Sequence, residues 1–220
     1  MLLPGVAPAA LFGTNKLASI WGTLAATAHY LQRVNIEWRA VLPAALAAFP
    51  AGMLGAHAVS ALDPKLLRPL VLVLLLAVLL YTLLNRGLGA LHAPRLRPLT
   101  QGAAALATGA ALGFYDGFFG PGTGSFLVFL FVGLFGFSFL SASASAKLIN
   151  VVTNAAALSW FAAHGNVLYA LGLPMAACNV GGSLLGARLA VKHGSGFVRA
   201  LFLVVVSALL LRLAYELRPV

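Results

Sequence analysis

From residue 100 to residue 137 the chain is apolar for longer than one membrane crossing needs. In the middle of that stretch it breaks its own pattern with GFYDGFFGPGTGSF (113–126). A helix rises about 1.5 Å per residue, so 100–137 would reach roughly 57 Å against a hydrocarbon core of about 30 Å. The stretch is therefore either a kinked, tilted span or two helical halves joined by a loop at depth. Backbone in lipid must satisfy its own polar groups, so a break of this kind survives only inside protein or against a wet cavity. The run also holds Asp116, an acid inside an apolar segment.

Six more apolar stretches of about spanning length accompany it, at 12–31, 38–62, 66–84, 142–163, 167–191 and 197–215. A basic connector, NRGLGALHAPRLRP, fills 85–98. Only 8% of the 220 residues are charged and 61% are hydrophobic, whereas a soluble domain carries roughly 25% charged residues. The reading is an all-α, polytopic integral membrane protein whose solvent is the lipid bilayer, multi-pass in the cell (inner or plasma) membrane. The net charge of +10 does not point to nucleic acid, because the cations lie between apolar segments, as orienting loops do. MLLPGVAPAALFG lacks the basic start of a signal peptide and is interrupted by Pro4 and Pro8. The single cysteine, Cys178, allows no internal disulfide and no cysteine-cluster metal site, and reads as a small packing residue in a helix. No cofactor or metal is expected, and His29, His57, His92, His164 and His193 show no ligand spacing and read as interfacial. Trp21, Trp38 and Trp160 suit membrane interfaces or core packing.

The chain repeats itself at a fixed offset. A shift of 131 residues lays Lys16 on Lys147, Asn35 on Asn166, Leu42-Pro43 on Leu173-Pro174, Leu54-Gly55-Ala56 on Leu185-Gly186-Ala187, and Arg68 on Arg199. Leucine and alanine matches are cheap in this composition, but lysine, asparagine, proline and arginine matches in one register are not. The halves are 1–98 and 99–220. The same shift sends the glycine run 117–124 to positions before Met1, and LLPG (2–5) onto GLFG (133–136). The first repeat is thus expected to lack its N-terminal span, with its true start upstream or the chain truncated. Basic residues gather at Arg86, Arg95 and Arg97, at Arg188, Lys192 and Arg199, and more weakly at Arg33 and Arg39. All three groups fall on the cytoplasmic side only if 100–137 is re-entrant, leaving on the side it entered; the halves are then inverted. A single crossing makes them parallel. The inverted arrangement is favoured.

Duplicated membrane halves with broken helices frame transport sites near the midplane. A cation at that depth is costly unless it faces a cavity or a partner, so Lys16 and Lys147 are candidates for attracting an anion. The alternatives are snorkelling or pairing with helix-end carbonyls. Gly120, Pro121, Gly122, Thr123 and Gly124 would cradle the anion at the start of a half-helix, capped by Thr123 or Ser125; the plainer reading is tight helix packing. Asn150, Thr153 and Asn154 share a helix face with Lys147. Thr14 and Asn15 flank Lys16, with Ser19 and Thr23 on its face. These stripes line a pathway or join helices. Asp116 is the candidate carrier of a coupling proton, or else a structural partner for loop N–H groups or a lysine. AGMLGA (51–56) and GGSLLGA (181–187) read as faces for close helix contact.

With these residues placed, the chain resembles the sulfite exporter family of TauE/SafE-type membrane proteins. The likeness rests on GFYDGFFGPGTGSF, on AKLINVVTNAAAL (146–158) and on the pattern GNV…LP…GGSLLGARLA (165–190). It is echoed by GTNKLASIWGT (13–23), VNIEW (34–38) and AGMLGA in the first half. The resemblance implies two four-helix-type repeats and export of sulfite, organosulfonates or related sulfur-containing anions. The residues alone indicate only a small anion. A homodimer is among the arrangements left open. No GxSxG, HExxH or aspartate pair supports an intramembrane enzyme. The competing reading is a non-transporting membrane scaffold or subunit, or a truncated inactive member of the family.

Overall fold

The computed structural model describes residues 7–58, 67–85, 89–120 and 122–216. Residues 2–5, Asp63, Arg86 and Pro121 lie outside them. Among the described residues there are seven helices and no strands: α1 (Pro8–Leu31), α2 (Trp38–Ala58), α3 (Leu67–Leu84), α4 (Pro98–Phe118), α5 (Thr123–Gly133), α6 (Phe139–Ala163) and α7 (Tyr169–Glu216). Helices α1 and α4 open with proline, whose missing N–H costs nothing in a first turn. For α1 this moves the start ahead of the apolar window that begins at residue 12. The N-cap of α6 is Ser138, whose hydroxyl accepts from the Ser141 N–H at 3.2 Å.

The stretch 100–137 is divided between two helices, α4 ending at Phe118 and α5 starting at Thr123. Gly120 and Gly122 have φ of 84° and 86°, a left-handed conformation that side chains with a Cβ resist. The proposed cap needs correction. Gly122 is the N-cap of α5 and no side chain caps it. The Thr123 hydroxyl instead donates to the Gly120 carbonyl at 2.7 Å, because that oxygen lies one short turn behind it. The last two expected spans meet within α7: its backbone leaves helical geometry at Gly194, with φ 70° and ψ −165°, so that two helices join there at a kink with no longer loop between them.

Both ends of the α4–α5 pair lie at the same end of the bundle. The connector before α4 bonds to the turn after α5, Ala93 N–H to Gly136 O at 2.9 Å and Arg95 N–H to Phe135 O at 3.1 Å. The Phe139 N–H reaches Gly89 O at 2.9 Å. The bend of α7 and the α1–α2 turn join them there, through Leu140 N–H to Ser195 Oγ and Ser141 Oγ to Asn35 O, both at 3.4 Å. His92 binds Glu37 at 3.2 Å across the same loops. Arg199 donates to Thr82 O and Asn85 O at 2.8 and 3.0 Å, satisfying carbonyls at the end of α3. At the opposite end the Leu168 N–H, just before α7, donates to Thr14 Oγ1 at 2.9 Å. Thr14 therefore ties helix ends together and does not line a pathway. Helices α1 and α6 start 131 residues apart, as do α2 and α7.

Around an apolar core, burial also takes in polar side chains while large apolar ones stand on the outside. Lys16, Asp116, Gln101, Thr108, Thr153 and Asn154 are buried, while Leu46, Leu54, Leu84 and Leu211 are 73%, 62%, 81% and 74% exposed. An apolar outer surface of this extent requires an apolar solvent. Cys178 corrects the sequence reading, being exposed on α7 rather than packed. His29 and His57 lie in the last turns of α1 and α2, and His57 stands edge-on to Trp160 with ring centroids 4.9 Å apart.

Lipid offers helices no hydrophobic drive to associate, so close backbone approach and van der Waals contact do the work. Helix α4 lays Gly109, Gly113 and Gly117 directly on the backbone of α2. A Cβ on Gly109 would strike the Ala44 carbonyl, and one on Gly117 the Gly52 carbonyl. From the other side, a Cβ on Gly55 would strike the Phe114 carbonyl. The AGMLGA face is thus a packed one. In GGSLLGA, by contrast, Gly181, Gly182 and Gly186 meet open space. Gly117→Ala should therefore cost about 1–3 kcal/mol through overpacking, read as a lower melting midpoint of the detergent-solubilised protein. Gly102→Ala, on the same helix but with nothing within 4 Å of the added carbon, should be neutral or stabilise by up to about 1 kcal/mol. Equal effects at the two positions would contradict the α2–α4 contact.

Candidate functional site

A polar cavity of about 320 Å³ lies where α1, α6 and α7 meet the α4–α5 break. Helix α1 contributes Asn15, Lys16, Ser19 and Thr23, which recur at the three- and four-residue spacing of one face. Helix α6 contributes Lys147, Asn150 and Asn154 by the same spacing. The break supplies Asp116, Gly120, Thr123 and Gly124. Most candidates singled out in the sequence thus converge on one space. Gly122 does not wall it; its place is the N-cap of α5. Thr153 faces away from it, buried, and its hydroxyl donates to the Asn150 carbonyl at 3.3 Å.

The remaining wall residue, Asn179 of α7, escaped the sequence reading. It belongs to no lysine-centred stripe. Its signal was a lone amide inside an apolar span, which calls for a partner or a cavity. Its Oδ1 accepts from Ser183 Oγ at 3.0 Å, and the missing side chain of Gly22 leaves room for its amide group.

The two lysines differ in their surroundings. The Lys16 ammonium donates to Asp116 Oδ2 at 2.7 Å, with the side chains 6% and 8% exposed. Asp116 therefore has the lysine partner that the sequence offered as one of its alternatives. A Cβ on Gly120 would sit 3.5 Å from the Lys16 nitrogen, so the break passes directly over the ion pair. Lys147, half-buried in the wall, makes no hydrogen bond or ion pair with any described residue. Among the described residues two lysines and one carboxylate line the cavity, a formal excess of one positive charge. Beside it the Asn150 amide nitrogen adjoins Gly124, where a Cβ would lie 3.4 Å away, while the Asn150 Oδ1 is buried without a partner. An ammonium and several carboxamides around a small space make a set of donors suited to an anion.

Removing one partner of a buried ion pair strands the other charge, at a cost of about 3–5 kcal/mol. Lys16→Met and Asp116→Leu should each lower thermal stability by an amount of that order. The double variant should recover much of the loss. Additive losses in this double-mutant cycle would mean that the two groups do not interact.

The sulfite exporter TauE/SafE family model matches residues 1–213. The chain is 35% identical over 213 residues to probable membrane transporter protein ORF9 of a Sinorhizobium species, covering 97% of this chain and 81% of that protein. It is 31% identical over 216 residues to a probable membrane transporter protein of Haemophilus influenzae, with 98% and 84% covered. Against the probable membrane transporter protein YfcA of Escherichia coli K12 the figures are 32% over 216 residues, with 98% and 80% covered. Each is named a transporter and none of the three an enzyme. No solved structure matches the chain. The chain belongs to the sulfite exporter TauE/SafE family of membrane proteins.

Proposed function

We propose that the protein is a secondary transporter that exports a small anion, with sulfite or an organosulfonate as the substrate class, across the cell membrane. The observation that carries this reading is the Lys147 ammonium, without a hydrogen-bond or ion-pair partner among the described residues, on a polar cavity lined by helices. Lys147 and the Asn150 amide hold the anion, and Asn15, Asn154 and Asn179 complete the wall. Lys16 stays paired with Asp116 until a proton reaches the carboxylate. Protonation then frees the Lys16 ammonium to turn to the anion, which would couple a proton to each transport cycle.

Alternating access fits two inverted halves, 1–98 and 99–220, moving around this fixed site. The common offset of the helix starts supports the duplication. So does a reciprocal contact. Gly22 of α1 abuts Ser183 of α7, and the positions 131 away, Thr153 of α6 and Gly52 of α2, also abut. The shared end of α4 and α5 supports a re-entrant segment, with the broken backbone turned to the cavity. Arg33, Arg39, Arg95, Arg97, Lys192 and Arg199 belong to the elements that meet at that end, which the positive-inside rule assigns to the cytoplasm.

The test is sulfite efflux from proteoliposomes with and without a proton gradient. Lys147→Ala should lower the rate at least tenfold while the protein still melts cooperatively, and Lys147→Arg should keep part of it. Asp116→Asn should remove the dependence on the gradient. Unchanged efflux in Lys147→Ala would remove the anion site from this lysine. Wild-type efflux no faster than from empty liposomes, for sulfite and for an organosulfonate alike, would favour the non-transporting scaffold.

A further inference from the structure

The offset of 131 residues pairs places that the structure treats differently. Ala56, Ala157 and Phe161 belong to a buried apolar cluster with Leu17 and Val167, at the end where α6 finishes and α7 starts. Their counterparts at that offset are Ala187, Ala26 and Tyr30. These three wall a vestibule of about 390 Å³ that shares Lys147 and Asn179 with the polar cavity. The vestibule takes in Ser143, near the start of α6, and Val198, just past the kink of α7. It therefore leads toward the end assigned above to the cytoplasm. Equivalent residues close one end of the bundle and line a passage at the other.

The polar contacts differ in the same sense. Thr14, 2% exposed, accepts from the Leu168 N–H at 2.9 Å and donates to the Ala10 carbonyl at 2.6 Å. This clasps α1 to the α6–α7 turn, and Gly13 beside it lies against the Asn166 carbonyl. At the same offset the counterpart of Thr14 is Ser145, and that of Leu168 is Glu37. Ser145 is fully buried, yet its hydroxyl has no hydrogen-bond partner. A buried hydroxyl left unpaired is costly, and a partner in a second state accounts for it. The turn that carries Glu37 is close at hand, since the Ser141 hydroxyl, one helical turn before Ser145, reaches the Asn35 carbonyl at 3.4 Å. We propose that the protein stands here open to the cytoplasm, with the Thr14 clasp shutting the opposite end, and that Ser145 is a second clasp that takes the Glu37 N–H when the site opens to the other side. The proposal rests on the transport reading above, with its inverted halves, and adds the residues that decide which side the site faces. Access alternates as one clasp forms and the other releases.

The experiment is labelling of the nanodisc-reconstituted protein by a charged maleimide that does not enter lipid. Cys178, exposed on α7, is first replaced by alanine, and one reporter cysteine is placed at each end. Ser143→Cys reports the vestibule, where the native side chain is half-buried. Val167→Cys reports the apolar cluster, where the native residue is 8% exposed. Ser143→Cys should label fast and Val167→Cys at least about tenfold slower, since a minor conformation is populated at about 0.1–10%. Adding Thr14→Val should speed the Val167→Cys reaction roughly two- to tenfold, the shift that one hydrogen bond supplies. Thr14→Ser, which keeps the hydroxyl, should label like the parent. Ser145→Ala should slow the Val167→Cys reaction by a similar factor, because the state that opens that end loses its clasp. It deletes only an unpaired hydroxyl, so it keeps the test open should Thr14→Val fail to fold. Val167→Cys labelling as fast as Ser143→Cys in the parent, or unchanged by Thr14→Val, would overturn the assigned state. Ser145→Ala that leaves the Val167→Cys rate unchanged, or raises it, would overturn the second clasp. The labelling reads no transport, so absent sulfite efflux leaves this result standing, and failure here leaves the anion site on Lys147 standing.

Discussion

The centre of the bundle is organised around the ion pair of Lys16 and Asp116. Two charges removed from water are tolerated only when they touch and their remaining hydrogen-bonding capacity is met. At 2.7 Å these do touch, and the geometry required for that fixes much else. Asp116 lies in the last turn of α4 and Lys16 well inside α1. For the carboxylate to arrive, α4 must end beside α1 and the chain must turn away at once. Gly120 and Gly122 make that turn in a conformation open to glycine. Helix α5 then begins next to the pair. Ion pair, helix break and cavity are consequences of one arrangement.

The ion pair would mean little if α4 could roll. Gly113 and Gly117, on either side of Asp116 in the sequence, seat α4 on the backbone of α2 through the Ala48 and Gly52 carbonyls. This contact leaves no side chain to readjust, so the face that carries Asp116 is fixed with respect to α2 and directed at α1. In lipid, where side-chain burial drives little, close backbone contact of this kind is the available source of rigidity.

Much of this was legible in the sequence because the bilayer imposes simple rules. An apolar stretch too long for one crossing, with glycines and an acid at its middle, had to kink or break, and the offset between Lys16 and Lys147 located both lysines. Helical spacing then gathered Asn150 and Asn154 onto the face of Lys147. What was not legible depended on contacts between distant elements. Nothing local marks Asn179 as a wall residue, since α7 reaches the cavity through its packing on other helices, α1 above all. The partner of Asp116 was one option among several, because choosing Lys16 over loop N–H groups requires knowing where α4 ends. Thr123 resembled a cap by residue type alone, yet the left-handed Gly122 takes that position and turns the hydroxyl back to Gly120. Thr14 adjoins a site lysine in sequence but serves the far end of the bundle.

The two lysines are alike in sequence and unlike in state, and the proposed function depends on that difference. Among the described residues Glu37 is engaged by His92 and Asp116 by Lys16, which leaves neither acid to Lys147. Two free ammonium groups on one small cavity would repel each other and raise the cost of folding. Two neutralised ones would give an anion no net attraction. One paired and one free leave a site that is stable at rest and still carries a charge for its ligand. The same α4–α5 break that brings Asp116 to Lys16 brings Gly124 to Asn150, beside the free charge. One short backbone segment thus borders the surroundings of both lysines.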